Sequence, residues 1–284
     1  HFSKIYPESR FTFLIGPSAS QIYANFPNLE NIIKIKKKKF NLHWIEMYFK
    51  NCNTKWDIII DLRSSLLSYL FLTNKRYIFK KKNNLHHIKQ LKNFFKLSLH
   101  SLNVHTNKEE ELKAYNNLTK DHKYIVVFPG GNWLPKIWPI EYFNELLIEL
   151  SKKFQNIKFI IVGSNKEKDL YLHKIKKNIS EDKFINLMGE TLTLTSAYMK
   201  KSNLFIGNDS GLTHLAVASN LKTISLFGPT NDKIYGHKDA NSYIIRTKEN
   251  YDYFKKLNIN VNRSYMLSIK PKQIIDIIFK NKLL

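Results

Sequence analysis

Short apolar segments alternate with longer segments of mixed polarity along most of the chain. The segments Trp56–Leu62 and Tyr124–Phe128 have unbroken apolar middles, which predict strands of a parallel sheet that are buried on both faces. The segment after Trp138 instead repeats apolar residues at helical spacing as far as Leu150, with Pro139 at the tolerated first helical position. Strands alternating with helices predict an α/β fold whose parallel sheets are covered on both sides.

The first half is less regular than the second. Its predicted strands lie at 10–15, 31–35 and 56–62, with a helix at 42–52, and a polar stretch around 118–123 closes it. The segment from Lys80 to His105 is amphipathic and contains neither Gly nor Pro. Its histidines lack metal-ligand spacing, so they are predicted to be surface residues. These are His86, His87, His100 and His105.

In the second half, each predicted strand is followed by a loop rich in turn residues. Parallel α/β sheets bind ligands at the carboxyl ends of their strands, so these loops are expected to converge on one crevice. They are Pro129–Lys136, Gly163–Glu167, Met188–Thr191, Gly207–Gly211 and Gly228–Thr230.

The stretch Leu204–Ser219 carries the strongest ligand signal. An apolar strand ends in a glycine turn, and an apolar helical pattern starts at once. The first amides of a helix lack intrahelical partners and carry partial positive charge. The amides of Ser210, Gly211 and Leu212 are therefore expected to hold a phosphate or a sugar hydroxyl.

Two side chains of the same stretch have alternative interpretations. Asp209 or Ser210 can cap the helix, and His214, one helical turn after Gly211, can lean back over the helix N-terminus. The alternative is a capped βα turn with a buried histidine and no ligand.

Three further loops carry side chains suited to a nucleotide diphosphate. Lys136 supplies a point positive charge, Glu167 offers acceptor oxygens to ribose hydroxyls, and Thr230 with the Gly228 amide completes a phosphate site. Each also has a structural interpretation, as a surface lysine, a helix N-terminal carboxylate or a turn residue. The donor-binding candidates are Gly130, Gly131, Lys136, Glu167, Thr191, Asp209, Ser210, Gly211, Leu212, His214, Gly228 and Thr230.

Glycine patterns of nicotinamide enzymes and P-loop NTPases are absent, as is a Gly-x-Ser-x-Gly elbow.

Length and cysteine content limit the class of protein. A chain of 284 residues suggests about two domains with substantial cores. Cys52 is the single cysteine, which excludes a disulfide framework or a Cys-rich zinc site and fits a reducing compartment. The longest apolar run, Leu66–Leu72, is far shorter than the roughly 20 residues of a membrane span, so a soluble chain is expected.

The formal net charge of +23 favours acidic partners: nucleotide phosphates, an anionic membrane surface or nucleic acid. Frequent Lys, Asn, Ile, Phe and Tyr are also what A/T-rich codons produce without selection for binding. Nucleic acid is disfavoured because no zinc-finger, RNA-binding or basic-region signature is present. The run Lys36–Lys39 is either a solvated strand end or a contact with anionic head groups.

Several motifs together resemble glycosyltransferase family 9, the heptosyltransferases of lipopolysaccharide core assembly. The motifs are Phe128–Trp133 with Lys136–Pro139, Gly207–Ala216, Leu226–Thr230, Tyr6–Thr12, Trp56–Arg63 and Met266–Pro271. The resemblance implies a GT-B architecture, in which two Rossmann-like domains face each other across a cleft. Residues 1–118 would form the acceptor-side domain and residues 119–284 the donor-binding domain, with a terminal helix that packs back on the first domain.

The resemblance also implies an activity: inverting transfer of heptose from ADP-heptose to a lipid-linked core sugar, at the cytoplasmic face of an inner membrane. No cofactor is implied, and no metal-binding Asp-x-Asp. Lys136 would contact the donor phosphates, Glu167 the adenosine ribose, and the Asp209–Gly211 turn with His214 the diphosphate and sugar. A base would take the acceptor proton while Lys136, the helix N-terminus and His214 stabilise the departing diphosphate.

The chain departs from the family pattern at two places. Many members have a cysteine just before Met266, where this chain has Tyr265. The expected general base is an aspartate in a Gly-Asp turn after a first, central strand, and the sequence starts beyond it, so a late start is inferred. Asp57 and Asp61 are weak substitutes. The alternative function is a nucleotide-sugar-binding module that is truncated or has lost catalysis.

Overall fold

The computed structural model describes residues 1–82, 85–97, 102–177 and 179–284. The chain divides into two compact units, His1–His100 and Ser101–Leu284. The helix Lys108–Asn117 therefore lies in the second unit, although the domain boundary predicted from the sequence is at 118/119. The boundary at 118/119 stays a prediction, and the two compact units divide earlier in the sequence.

The first unit contains two pairs of parallel strands. Its strands are β1 (Phe11–Ile15), β2 (Leu29–Lys34), β3 (Trp56–Asp61) and β4 (Thr73–Ile78), and its helices are α1 (Phe2–Ile5), α2 (Pro17–Ser20), α3 (Leu42–Asn51), α4 (Leu67–Leu70) and α5 (His87–Phe95), with 3₁₀ turns at Gln21–Tyr23 and Lys39–Asn41. Strand β1 pairs with β2 and β3 pairs with β4, and among the described residues the two pairs are separate sheets. All three strands predicted for this half are present.

A small apolar core joins the two strand pairs. Met47 of α3 packs with Leu67 and Phe71, and side chains of both pairs, including Leu14 and Ile59, pack against this cluster. The prediction that β3 is buried on both faces is wrong: Ile60 is 38% exposed and Asp57 is exposed. Within the described part of the chain, β3 pairs with β4 on one side only, so its apolar middle has less cover than that of a central strand.

The second unit is built on one parallel sheet of six strands, in the order β10-β9-β8-β5-β6-β7. The strands are β5 (Lys123–Phe128), β6 (Ile157–Ile161), β7 (Phe184–Asn186), β8 (Leu204–Asn208), β9 (Thr223–Phe227) and β10 (Ser242–Arg246). The central strands β5, β8 and β9 are apolar and almost wholly buried, as the sequence predicts for strands covered on both faces.

One helix precedes the first strand of this sheet, and the others lie between or after its strands. The helices are α6 (Lys108–Asn117), α7 (Ile140–Lys153), α8 (Asn165–Glu167), α9 (His173–Lys176), α10 (Leu192–Lys201), α11 (Gly211–Ala218), α12 (Asp232–Tyr235), α13 (Tyr251–Lys256) and α14 (Pro271–Lys280), with a π-helical turn at Lys168–Leu172 and 3₁₀ turns at Leu134–Lys136 and Glu181–Lys183. Helix α7 begins at Ile140, so Pro139 is its N-cap and not its first residue as predicted.

The last helix belongs to the core of the second unit. Ile274, Ile275 and Ile278 of α14 are buried in the main hydrophobic cluster, together with Leu146 and Leu150 of α7. Proline at the first position of α14 fits the helix start, because its missing N–H would have had no intrahelical partner. Packing of this helix on the first unit stays a prediction.

The histidines between 80 and 105 are less exposed than the sequence suggests. His86, His87 and His105 are half-buried, and burial lowers the pKa of His87 and of His105. His100 lies outside the described residues. No three His, Cys, Asp or Glu side chains in the described part of the chain are grouped so that they could hold a metal ion. No described helix is both long and apolar enough to span a bilayer.

Candidate functional site

The loops singled out from the sequence lie at one edge of the six-stranded sheet. All its strands are parallel, so the loops that follow β5, β6, β7, β8 and β9 leave the same edge. Neighbouring loops are in direct contact. The Glu167 carboxylate lies against Gly130 and Gly163, and Asn165 lies against Gly189, so closely that a Cβ at Gly130 or Gly189 would overlap these side chains. Glycine at 130 therefore permits the loops after β5 and β6 to touch.

Asn208, at the end of β8, connects the β5 loop to the rest of the edge. Its side chain is fully buried; Nδ2 donates to the carbonyl oxygens of Pro129 (3.2 Å) and Gly130 (2.9 Å). Its Oδ1 accepts from the amide of Trp138 at 2.9 Å. These three hydrogen bonds hold both ends of the loop that carries Lys136. In the sequence, Asn208 is recognisable only as part of a turn, and no local pattern indicates this role.

Lys136 ends a short 3₁₀ turn between those two anchors. Its side chain is half-buried, and its amide donates to Trp133. Gly131, on the same loop, faces the side chain of Ile137, which lies just over 3 Å from where a Cβ would stand. The loop therefore packs closely, and it places Lys136 after the carboxyl end of β5, at the edge where parallel sheets bind ligands.

The turn between β8 and α11 has the geometry expected of a helix N-terminus. Ser210 is the N-cap, and its Oγ accepts from the Leu212 amide at 3.2 Å, so the capping prediction holds for Ser210. The Leu212 amide, one of three expected to hold a phosphate, is thereby already satisfied. Gly211 is exposed, and a Cβ there would meet nothing within 4 Å. Open space in front of the first helical residue is what an anion requires.

Asp209 and Thr213 position the strand end. Asp209 is buried, and its amide donates to the carbonyl of Leu226 on β9. Thr213 is also buried and donates to the carbonyl of Asn208 at 2.6 Å. The turn is thus tied to β9 and to the end of β8, which fixes the direction of the helix N-terminus.

His214 has a partner that the sequence did not reveal. Its Nδ1 lies 2.7 Å from Nε2 of His237, and the two rings meet edge to face with their centroids 5.0 Å apart. His237 is buried, whereas His214 is half-buried. A contact at Nδ1 fixes the orientation of the His214 ring and leaves Nε2 as the nitrogen that does not face His237. The only sequence signal for His237 is its place just after Gly236, at the end of α12.

The loop after β9 is held by Arg246, at the end of β10. Its guanidinium donates to the carbonyls of Gly228 and Thr230, at 2.5 and 2.9 Å, and to Oδ1 of Asp232 at 2.7 Å. Arg246 was not selected from the sequence, although the carboxyl end of a parallel strand is where such residues are expected. Thr230 Oγ1 is buried and has no hydrogen-bond partner among the described residues.

Two donor-binding candidates also serve as helix caps. Glu167 Oε2 accepts from the amide and the hydroxyl of Ser164, both at 2.7 Å, in a capping box. Thr191 is the N-cap of α10, and its Oγ1 accepts from the Leu194 amide at 3.2 Å. The structural interpretation therefore applies to both residues. The capping box uses Oε2 of Glu167. Its other carboxylate oxygen, Oε1, faces Gly130 on the neighbouring loop.

Asp61, the weak candidate for a general base, is used by its own turn. Its carboxylate accepts from the amides of Arg63 (2.7 Å) and Ser65 (2.6 Å) and from the Ser65 hydroxyl (3.0 Å). Burial alone would raise the pKa of Asp61, but these hydrogen bonds outweigh it and the pKa is lowered. A lowered pKa is the reverse of what a general base near neutral pH requires.

Comparison with known proteins identifies the family. Residues 59–262 match the family model described as glycosyltransferase family 9 (heptosyltransferase). The chain belongs to this family. It is 26% identical over 227 residues to lipooligosaccharide heptosyltransferase 2 of Campylobacter jejuni, an alignment that covers 75% of this chain and 70% of the relative.

Solved structures of family-9 proteins share the fold. A glycosyltransferase family 9 protein from Veillonella parvula matches with a TM-score of 0.75 at 22% identity, covering 99% of this chain and 90% of the other. The ADP-heptose lipopolysaccharide heptosyltransferase II of Escherichia coli matches with a TM-score of 0.72 at 16% identity, covering 99% and 92%. The predictions of family, of a glycosyltransferase and of the α/β GT-B fold class are thereby confirmed.

Proposed function

We propose that this family-9 glycosyltransferase moves a heptose, or a related sugar, from an ADP-sugar to a lipopolysaccharide core acceptor with inversion at the anomeric carbon. One observation carries the proposal: in a member of this family, five loops meet at one edge of a parallel sheet around an open helix N-terminus at Gly211. The names of its relatives support the donor and the acceptor, since they include an ADP-heptose lipopolysaccharide heptosyltransferase.

The donor diphosphate would be bound by groups of opposite charge at that edge. Lys136 provides a full positive charge, and the Gly211 amide with the dipole of α11 provides a partial one. Thr230, whose buried hydroxyl has no partner in the described part of the chain, would donate to a phosphate oxygen. Glu167 would accept from the ribose hydroxyls through Oε1. Gly130, Gly131 and Gly228 would contribute backbone groups, because the space where a Cβ would stand is already filled by Glu167, Ile137 and Met266.

The transfer would be a single displacement. The acceptor oxygen forms a bond to the anomeric carbon as the bond from that carbon to the diphosphate oxygen breaks, and ADP leaves with the bonding electrons. Lys136, the N-terminus of α11 and His214 would stabilise the negative charge that grows on the diphosphate. The acceptor hydroxyl must also lose a proton. Asp61 is held by its turn and its pKa is lowered, so the proton would pass to another base or to water.

Release of ADP tests this function directly. We expect ADP to appear only when ADP-heptose and a heptose-acceptor core lipid are both present. Lys136→Met removes the charge but keeps much of the side-chain length, and should reduce the rate by about 10²- to 10³-fold. Lys158→Met is the matched control, because Lys158 is also half-buried but lies near the start of β6, away from the carboxyl ends of the strands. This control should keep the parent rate.

The same assay separates transfer from binding alone. Saturable ADP-heptose binding without acceptor-dependent ADP release would support the nucleotide-sugar-binding module instead. Equal losses in Lys136→Met and Lys158→Met would contradict the role assigned to Lys136.

A further inference from the structure

Helix α3 of the first unit carries an apolar stripe on its solvent-facing side. Leu42, Ile45 and Phe49 are 50%, 55% and 71% exposed, and their spacing places them on one face of the helix. His43 and Met47, on another face, are buried, and Met47 packs in the core of the first unit. The fold of the first unit therefore does not need the three exposed side chains.

Phe40 extends this stripe beyond the start of the helix. Its side chain is 91% exposed, the highest value among the exposed large apolar residues of the described chain. Phe40 and Asn41 both have left-handed backbone conformations, with φ of 53° and 58°. This conformation is uncommon for a bulky side chain. The tight turn it produces leads directly into α3 and leaves the aromatic ring in solvent.

A cluster of positive charge adjoins the stripe. Lys36, Lys37, Lys38 and Lys39 are all exposed, immediately before Phe40. Lys38 pairs with Glu46 at 2.6 Å, and the same carboxylate pairs with Lys50 at 2.7 Å. Glu46 thus pairs with one lysine of the run and with Lys50, so the surface keeps a surplus of positive charge.

We propose that the α3 surface, defined as Lys36–Lys39, Phe40, Leu42, Ile45 and Phe49, binds an anionic lipid bilayer. Apolar side chains on an exposed helix insert at the boundary between head groups and acyl chains, while adjacent lysines are attracted to anionic head groups. Self-association through this surface is opposed by its charge, because two copies would bring their lysines together. A nucleic acid would use the lysines but leave the aliphatic Leu42 and Ile45 without a role. The bilayer accounts for both features, and it is independent of the sugar-transfer reaction.

Vesicle sedimentation without any sugar nucleotide tests this surface. We expect the chain to bind vesicles of mixed phosphatidylcholine and phosphatidylglycerol and not vesicles of phosphatidylcholine alone. Replacing Lys36, Lys37 and Lys39 by Gln should weaken binding on the order of 100-fold. The double variant Phe40→Ser/Phe49→Ser should weaken it by about tenfold or more.

Matched controls come from the second unit. Val261→Ser/Leu267→Ser removes apolar side chains that are 58% and 55% exposed, and Gln at Lys255, Lys256 and Lys272 removes three exposed charges. Both controls should bind like the parent. As a second measurement, the fluorescence of Phe40→Trp should be quenched more by brominated lipids than that of the parent. This variant reports contact with the bilayer while it still binds.

Several results would overturn the assignment. They are absence of binding to anionic vesicles, equal losses in the α3 variants and their controls, and no added quenching in Phe40→Trp. A dimer that Phe40→Ser/Phe49→Ser dissociates would assign the surface to self-association. Binding to duplex DNA without binding to vesicles would assign it to nucleic acid.

Discussion

At the scale of single residues, buried polar side chains determine the shape of the candidate donor site. Asn208 uses both ends of its amide, so its orientation is fixed by two carbonyl acceptors on one side and one N–H donor on the other. Arg246 does the same for the loop after β9. Neither side chain is placed to react with a ligand through the atoms used in these contacts. They hold the backbone that would.

Replacing Asn208 by Asp is expected to destabilise the protein strongly. The new carboxylate oxygen would face the carbonyls of Pro129 and Gly130, and two buried acceptors would lose their donor. Such a change should cost about 3 kcal/mol or more of unfolding free energy. Chemical denaturation measures this cost, and Asn262→Asp, at an exposed position, is the control. A loss below about 1 kcal/mol, on the scale of one hydrogen bond, would contradict the role of Asn208.

His237 is expected to set the tautomer of His214. With His237 present, Nδ1 of His214 has a fixed partner at 2.7 Å, so one tautomer should dominate. In His237→Ala the ring of His214 should become a mixture of tautomers, and His237→Gln should restore part of the preference. Ring ¹⁵N chemical shifts distinguish the two tautomers. Identical His214 shifts in the parent and in His237→Ala would show that the contact has no such effect.

At the level of secondary-structure elements, Glu46 of α3 shows how lysines on and before one helix change the pKa of a carboxylate. Hydrogen bonds from Lys38 and then Lys50 lower the pKa of Glu46 from its ordinary value near 4.5 to about 2. A lowered pKa means that these pairs stabilise the fold above about pH 4.5 and that this contribution is lost as the pH falls towards 2. Glu46 is exposed, so solvent screens much of the effect.

An NMR titration of the carboxyl carbon of Glu46 checks this assignment. Lys38→Gln should raise the pKa of Glu46 towards its ordinary value, because it removes the first of the two partners. Glu149, which is paired with Lys152 on α7, is the internal control and should titrate unchanged in that variant. A pKa for Glu46 that Lys38→Gln does not alter would contradict the pairing.

The sequence predicted the elements of the second unit better than their connections. Strands such as β5 and β8 are recognisable because burial on both faces requires continuous apolar residues. The same pattern misled the prediction for β3, which has one neighbouring strand among the residues that the structure describes. The connections made by Asn208 and His237 were not predictable. Asn208 bonds to residues 70 or more positions away, and His237 contacts His214, which is 23 positions away across two loops. No local sequence pattern encodes such pairs.

At the scale of the whole molecule, the family assignment and the two parallel-sheet units agree with what the motifs implied. Part of the formal charge of +23 forms the basic side of the α3 surface, and Lys136 lies on the loop that follows β5. Both positions would receive negatively charged partners, a bilayer in one case and a diphosphate in the other.

A crystal structure of the chain with bound ADP would test whether these loops form the donor site. We expect the diphosphate to lie within about 3 Å of the Gly211 amide and of Nζ of Lys136, with His214 beside it and the adenosine on the side of Glu167. Finding the nucleotide at the opposite edge of the sheet, or bound without contact to Lys136 and Gly211, would contradict it.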